Sequence, residues 1–246
     1  MDVKTKVFWG LAIVDAPRER FEAWLEDVVL RGERLQIVMT PNPEQLMLAR
    51  RDAQLASDLV AADVRIPDGA GLVWAGKFTA RLTGADTCER LLAWVREGKI
   101  KIVLLGGHYE SSDTGELIIA GKQMSGVFYT EGYKRFVEAT PDEEEQVRAL
   151  IQKVKPDVVL VALGAPQQER WLIAHRDFLA GVGVRLAMAV GGSFDFITGK
   201  VKRAPAWMRQ SRLEWLYRLW QEPWRWRRQL VLPGFIIRKL TGYWER

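Results

Sequence analysis

"PDVVLVALGAPQQERWLIAHRDFLAGVGVRLAMAVGG", residues 156–192, decides the fold. Two short apolar runs, "VVLVAL" and "RLAMAV", flank "QQERWLIAHRDFLA", a stretch of helical length and period. Runs that stay apolar at consecutive positions read as strands buried on both faces, and a helix between two of them is the crossover of a parallel pair. The same kind of run recurs in "RLQIVM" (34–39) and "IKIVLLGG" (100–107), with a second helical pattern in "EEEQVRALIQKV" (143–154). "TPDEEEQVRAL" carries a helix start, with Thr140 as N-cap, Pro141 at the first helical position and Glu143 closing a capping box. Nothing repeats at a fixed period and no low-complexity linker intervenes. The expectation is a single α/β core over residues 1–198, with a largely parallel sheet and flanking helices, followed by a basic helical appendage over residues 199–246.

Composition fits that division. The chain has 246 residues, 48% of them hydrophobic and 27% charged, enough for one sizeable core with a small addition. A lone cysteine, Cys88, makes no intrachain disulfide and points to a reducing compartment; with only two histidines beside it, no metal-ligand cluster has a recognisable spacing. The apolar part of "MDVKTKVFWGLAIVDAPRER" is too short and mixed for a secretory signal, and no uncharged run nears the roughly 18–20 residues that span a bilayer. Charge is uneven. From Lys200 to Arg246 there are 12 Lys and Arg against three acids, and six of the 11 tryptophans, whereas the rest of the chain is slightly acidic. Arg and Lys interleaved with Trp suit an anionic surface with an apolar layer beside it, of which the membrane interface is the commonest; nucleic acid also fits the charge.

In a parallel sheet, ligands bind outside the carboxyl ends of the strands. The residues at those ends are Thr40-Pro41-Asn42-Pro43, then Gly106-Gly107-His108, then Gly164 to Glu169, then Gly191-Gly192-Ser193-Phe194-Asp195. Glycine there lets a ligand approach the backbone, so a phosphate-bearing ligand is the economical inference. Neither G-x-G-x-x-G nor a P-loop is present. Asn42 also suits the N-cap of a helix over "PEQLMLARRDAQLASDL". "RIPDGAG" (65–71) reads first as a turn, Pro presetting φ and Gly supplying φ > 0; it also suits a rigid, bare loop presenting the Asp68 carboxylate. His108 and His175 read as solvated residues and Cys88 as helix packing.

Taken in order, "TPNPEQ", "PDGAGLVWAG", "TGAD", "LLGG", "EGY", "LGAPQQERW", "GGSFDFITGKVKRAPAWM" and "LEWLYRLWQEP" resemble the WecG/TagA/CpsF family of bacterial glycosyltransferases, over roughly residues 8–230. The resemblance implies a Rossmann-like core and an inverting, metal-independent enzyme without a cofactor. Such an enzyme moves N-acetylmannosamine or its uronic acid from a UDP-sugar to an undecaprenyl-diphosphate-linked sugar in cell-surface polysaccharide synthesis. It implies Asp68 as the base that takes the acceptor hydroxyl's proton, with Thr40 and Asn42 near the sugar. Gln168 falls at the donor or acceptor pocket, with Gln167 standing where the family usually has Lys. Gly106, Gly107, Gly191 and Gly192 are the strand-end glycines that leave room for the substrate, Asp195 takes ribose or uracil hydrogen bonds or serves local structure, and Asp86 contacts the acceptor or caps "TCERLLAWV". Arg218, Arg225 and Arg228 fall at family arginines; their i, i+7, i+10 spacing shares one face if the helix is continuous, which Pro223 argues against. Arg suits a diphosphate leaving group because its planar fork bonds two oxygens at once.

In this reading the appendage completes the site at the inner face of the cell membrane, on a cytoplasmic, peripherally bound protein that does not bind nucleic acid. The apolar faces of the core serve folding or self-association, which leaves a homo-oligomer open. The alternatives are a transferase of the same type using a glucose or uronic acid donor, a nucleotide-dependent Rossmann-like oxidoreductase or epimerase, and a nucleic-acid-binding protein.

Overall fold

In the computed structural model of the protein, residues 3–198, 201–202, 204–205, 207–208, 214–223 and 226–241 are described. A hairpin of β1 (Thr5–Phe8) and β2 (Leu11–Val14) opens the chain. Its two-residue turn holds Trp9 at φ 53° and Gly10 at φ 78°. Packing secures the unusual tryptophan: its ring stacks on Phe8 at 4.8 Å and meets Phe235 edge-on at 4.9 Å. Next come α1 (Arg18–Glu26), β3 (Gln36–Met39), α2 (Pro43–Ala49), α3 (Ala53–Ala61), β4 (Val64–Arg65), α4 (Ala70–Gly76), α5 (Gly84–Arg96) and β5 (Ile102–Leu105). A second antiparallel unit follows, β6 (Glu110–Ser111), β7 (Glu116–Ile119) and β8 (Lys122–Thr130). Then α6 (Pro141–Val154), β9 (Val158–Val161), α7 (Gln167–Ala174), α8 (Arg176–Val182), β10 (Leu186–Ala189) and α9 (Phe194–Ile197) complete the core.

One sheet of eight strands runs in the order β4-β3-β10-β9-β5-β8-β7-β6. The six strands from β4 to β8 are parallel, and the last two are the antiparallel edge. The strands expected at 34–39, 100–107, 156–164 and 184–192 are β3, β5, β9 and β10, four consecutive neighbours in the sheet, β3-β10-β9-β5. Their apolar runs are explained by burial on both faces. Val103, Leu105, Val159, Val161, Ala187 and Ala189 point into one core layer with α2, α3, α6 and α7. Ile102, Leu104, Val158, Leu160, Leu186 and Met188 point into the other with α1 and α5. At a period of two, successive residues of one strand feed opposite layers.

Local signals mostly decide the helix ends. Thr140 and Glu143 form the expected capping box with Pro141 behind it. The helix expected over "PEQLMLARRDAQLASDL" is instead two, because Asp52 caps α3 by accepting from the Leu55 N–H at 3.0 Å and is held by Arg170 at 2.6 Å. Beyond the core lie α10 (Glu214–Gln221), α11 (Trp226–Gln229) and α12 (Val231–Thr241). Phe235 of α12 is buried in the first core layer, and Gly234 lies against Met47 of α2. The C-terminal segment is therefore seated on the core.

Candidate active site

The short strand β4 is followed by buried Ile66 and Pro67, and Asp68 comes next. Three backbone bonds fix this loop: Ile66 N–H to Met39 O at 2.9 Å, Asp68 N–H to Pro41 O at 3.1 Å and Leu82 N–H to Pro67 O at 3.2 Å. Gly69 then takes φ +84° and starts α4, with Pro43 Cδ 3.6 Å from where its Cβ would stand; Gly71 is tighter still, 3.0 Å from Pro43 Cγ. The turn chemistry of "PDGAG" is thus real, and it sets Asp68 against the loop that follows β3.

The Asp68 carboxylate accepts from the Gly84 N–H at 3.4 Å, at the N-terminus of α5, where Thr83 Oγ1 caps the Asp86 N–H at 3.0 Å. Desolvation in this setting raises the Asp68 pKa to about 6; Glu214 adds to the rise, while the Gly84 and Gly69 N–H groups and the Arg81 charge oppose it. The side chain is nevertheless only half-buried, so it stays within reach of a ligand. Behind it, Cys88 is fully buried and its thiol is pushed far up by burial, with Glu89 and Asp68 adding to the shift.

The strand-end residues gather around this carboxylate. A Cβ on Gly84 would stand 3.0 Å from Ser193 Oγ and 3.6 Å from Thr40 Cγ2. Thr40 Oγ1 donates to Ala189 O at 3.3 Å, tying the ends of β3 and β10. Asn42 caps α2, its Oδ1 accepting from the Gln45 N–H at 3.0 Å. Beneath them lies fully buried Glu169, whose Oε1 accepts from Gln45 Nε2 and Gln168 Nε2, each at 2.8 Å. Gln168 Oε1 in turn accepts from the Gly191 N–H at 3.1 Å. One carboxyl, its pKa raised chiefly by burial, thereby joins the loops after β3, β9 and β10. Gln168 holds backbone with its amide, and the sequence reading assigned nothing to Gln45 or Glu169.

On the other side, Gly106 takes φ +92° where a Cβ would fall 2.9 Å from the Ala162 carbonyl carbon, and Gly107 leaves room for the Tyr109 ring. Tyr109 Oη donates to Asp195 Oδ1 at 2.9 Å, and burial together with the Asp195 charge raises its pKa strongly. Arg218 closes this corner, donating from Nη2 to Gly192 O at 3.0 Å and from Nε to Glu222 Oε2 at 2.9 Å, with Nη2 3.9 Å from Asp195 Oδ2. Nothing in the sequence had singled out Tyr109; its distance of 86 residues from Asp195 leaves no local signal.

Helix α10 is inverted relative to an ordinary surface helix. Glu214, Arg218 and Glu222 turn inward, whereas Trp215, Leu216 and Trp220 are 45%, 45% and 76% exposed. Glu214 Oε2 accepts from Arg81 Nη2 at 2.8 Å, which pins the start of α10 beside Asp68. As Pro223 suggested, α10 stops at Gln221. Arg225 lies outside the described residues; Arg228 is in α11, but its side chain also lies outside them.

Asp86 is paired with Arg18 in a depression between α1 and α5 lined by Phe21, Leu82, Thr83 and Arg90. The cap of α5 is Thr83, so Asp86 is not needed for that role. His108 is exposed and pairs with Glu131 at 2.7 Å. His175, expected at the surface, is buried: its ring stacks on Trp171 at 4.2 Å, with Nδ1 2.8 Å from Trp171 O and Nε2 2.7 Å from Glu144 Oε1. A helix turn that looks solvated by composition is covered here by α6.

Comparison with known proteins places the chain among glycosyl transferases. The family described as Glycosyl transferase WecG/TagA/CpsF matches residues 6–246. A protein of Bacillus subtilis (strain 168) named N-acetylglucosaminyldiphosphoundecaprenol N-acetyl-beta-D-mannosaminyltransferase is 30% identical over 249 residues, covering 96% of this chain and 91% of its own. A protein of the same name from Bacillus spizizenii is 31% identical over 243 residues, covering 95% and 90%.

Proposed function

The chain belongs to the WecG/TagA/CpsF family of glycosyl transferases, and on that premise we propose that it transfers N-acetylmannosamine from a UDP-sugar to an N-acetylglucosamine carried on a polyprenyl diphosphate, with inversion and without a metal ion. The names of its relatives support the sugar and the acceptor. One observation carries the mechanism: a rigidly held, reachable carboxylate with its pKa near 6 faces the sheet edge that Arg218 closes.

In this reading, Asp68 is ionised at neutral pH and accepts the proton of the acceptor hydroxyl as its oxygen forms the bond to the anomeric carbon. The bond from that carbon to the UDP oxygen breaks on the opposite face, its electron pair passing to the diphosphate. A base whose pKa lies near the working pH contributes on the order of 10²- to 10⁴-fold. Arg218, joined by Arg225 and Arg228, supplies positive charge for the departing diphosphate. The Gly191-Gly192 turn and Asp195 take the nucleotide side, and Thr40 and Asn42 the sugar side.

The outward Trp215, Leu216 and Trp220, with the exposed Ile236, Ile237 and Leu240 of α12, support a peripheral membrane attachment through residues 199–246. Among the described residues no helix is long and apolar enough to cross a membrane. Each Lys or Arg near an anionic leaflet adds roughly 1 kcal/mol, so a few of them with Trp insertion bring the enzyme to its lipid-linked substrate at the inner membrane face.

The test is UDP release from a panel of UDP-sugars with a short-chain polyprenyl-diphosphate N-acetylglucosamine acceptor, with and without EDTA. UDP-N-acetylmannosamine should be used at an undiminished rate in EDTA. Preference for UDP-glucose or a uronic acid donor would change the sugar assignment, and loss of turnover in EDTA would overturn the metal-free scheme. Asp68→Asn should abolish turnover.

A further inference from the structure

We propose that Glu214 is a positioning residue: by pairing with Arg81 beside Asp68, it couples the seating of α10 to the strength of the base. The inference rests on Asp68 being that base.

The geometry is compact. Arg81 lies on the connection into α5, three residues before Gly84, whose N–H bonds Asp68. Glu214 Oε2 takes a bond from Arg81 Nη2 at 2.8 Å, and the two side chains are only 15% and 20% exposed. A pair so shielded is screened far less than one on the surface. Both charges bear on Asp68, the Arg81 cation favouring its ionised form and Glu214 disfavouring it. Among the described residues, the Cys88 thiol of α5 also bears on Asp68 and is neutral at any working pH, its ionisation pushed far up by burial. The remaining walls, Thr40–Pro43, α4 and Val190–Phe194, carry no ionisable side chain. With α10 seated, Asp68 therefore faces a nearly neutral ion pair. With Glu214 withdrawn or neutralised, it faces an uncompensated guanidinium, which stabilises the carboxylate and weakens it as a base.

Four residues along α10, Arg218 reaches Gly192 O and the Asp195 corner. Residues i and i+4 share a helix face, so one rigid helix carries both contacts. The same placement of α10 that sets Arg218 at the Asp195 corner sets Glu214 on Arg81. One helix thus sets both the charge balance at Asp68 and the position of Arg218.

The experiment uses the full chain and the assay described above, with kcat/KM measured from pH 4.5 to 9. In Glu214→Gln the acid limb should move to lower pH by about half a unit or more, and the plateau should fall about three- to tenfold. Glu214→Asp, which keeps the charge, should restore the limb towards its original position. A readout independent of turnover is the Asp68 carboxyl resonance in ¹³C-Asp-labelled protein, assigned as the signal missing from Asp68→Asn. Its midpoint should drop in Glu214→Gln at unchanged melting cooperativity. An unmoved midpoint, with turnover still lost in Asp68→Asn, sinks this inference and leaves the base assignment intact. Retained turnover in Asp68→Asn sinks both.

Discussion

Asp68 is held at an energetic cost, and replacing it with asparagine should make the protein more stable while removing its activity. The carboxyl pKa rises from 3.8 to about 6 because burial disfavours the charged form. At 1.36 kcal/mol per pH unit, ionising Asp68 at neutral pH costs the native state up to about 3 kcal/mol relative to the unfolded chain. Partial solvent access lowers this to about 1–3 kcal/mol. The sign follows from proton counting. Below the unfolded pKa both states are protonated and nothing is lost; between about pH 4 and 6 the native state binds more protons, so stability falls as pH rises through that window. Asparagine keeps an oxygen able to accept from the Gly84 N–H and has no charge to desolvate. The advantage of Asp68→Asn should therefore be near zero at pH 4, grow to about 1–3 kcal/mol by pH 7 and then level off. For a chain of this length that is a rise in Tm of about 2–10 °C. Urea denaturation of both proteins at unit pH intervals from 4 to 8 measures it, other titrating groups cancelling in the difference. A difference independent of pH, or a variant less stable at pH 7 than the parent, would refute the account of Asp68 as a desolvated carboxylate.

Arg218→Ala should lower kcat about 10²- to 10³-fold while Arg218→Lys, which keeps charge but not the two-oxygen fork, recovers only part of it; steady-state kinetics on the preferred donor decide. Trp220→Ala with Trp215→Ala should weaken sedimentation with anionic vesicles and leave the melting temperature unchanged, since both side chains are exposed; equal binding would remove α10 from the membrane face. Glu169→Ala should cost about 2–4 kcal/mol in urea denaturation, because Gln45 and Gln168 lose a shared buried acceptor. A cost near zero would mean that the three strand-end loops hold without it.

The centre of the fold was legible because the physics that builds it is local in sequence. Four residues in a row with no polar gap, as in β5 and β9, have one explanation in an α/β chain. The capping box at Thr140 and the turn at Asp68-Gly69 were legible on the same ground. The antiparallel edge of β6, β7 and β8 was not, since its exposed and buried residues mix polar and apolar without a clean alternation. The cap by which Asp52 divides an apparently continuous helix was hidden too, since Arg170, which holds it, is 118 residues away.

The site shows the same limit more sharply. Thr40 and Asn42 came into view because strand ends are where ligands bind, a rule that needs only the order of elements, whereas Asp68 read first as a turn and was singled out by the resemblance. The groups that set their chemistry were missed. Glu169 joins three loops from a buried position, Tyr109 reaches Asp195 across the sheet edge, and Glu214 reaches Arg81 over 133 residues. Composition also misleads where a segment is folded inside out. The basic, Trp-rich stretch read as a face for an anionic surface, yet in α10 the charges turn inward and the tryptophans outward. Arginine there is directed at the site and tryptophan at the surroundings. Within, its charges are satisfied as pairs, Glu214 with Arg81 and Arg218 with Glu222; without, Trp215, Leu216 and Trp220 present an apolar face. On the proposed function, the two features that look separate in the sequence, charge and aromatic density, serve one requirement, reaching a charged diphosphate at a lipid boundary.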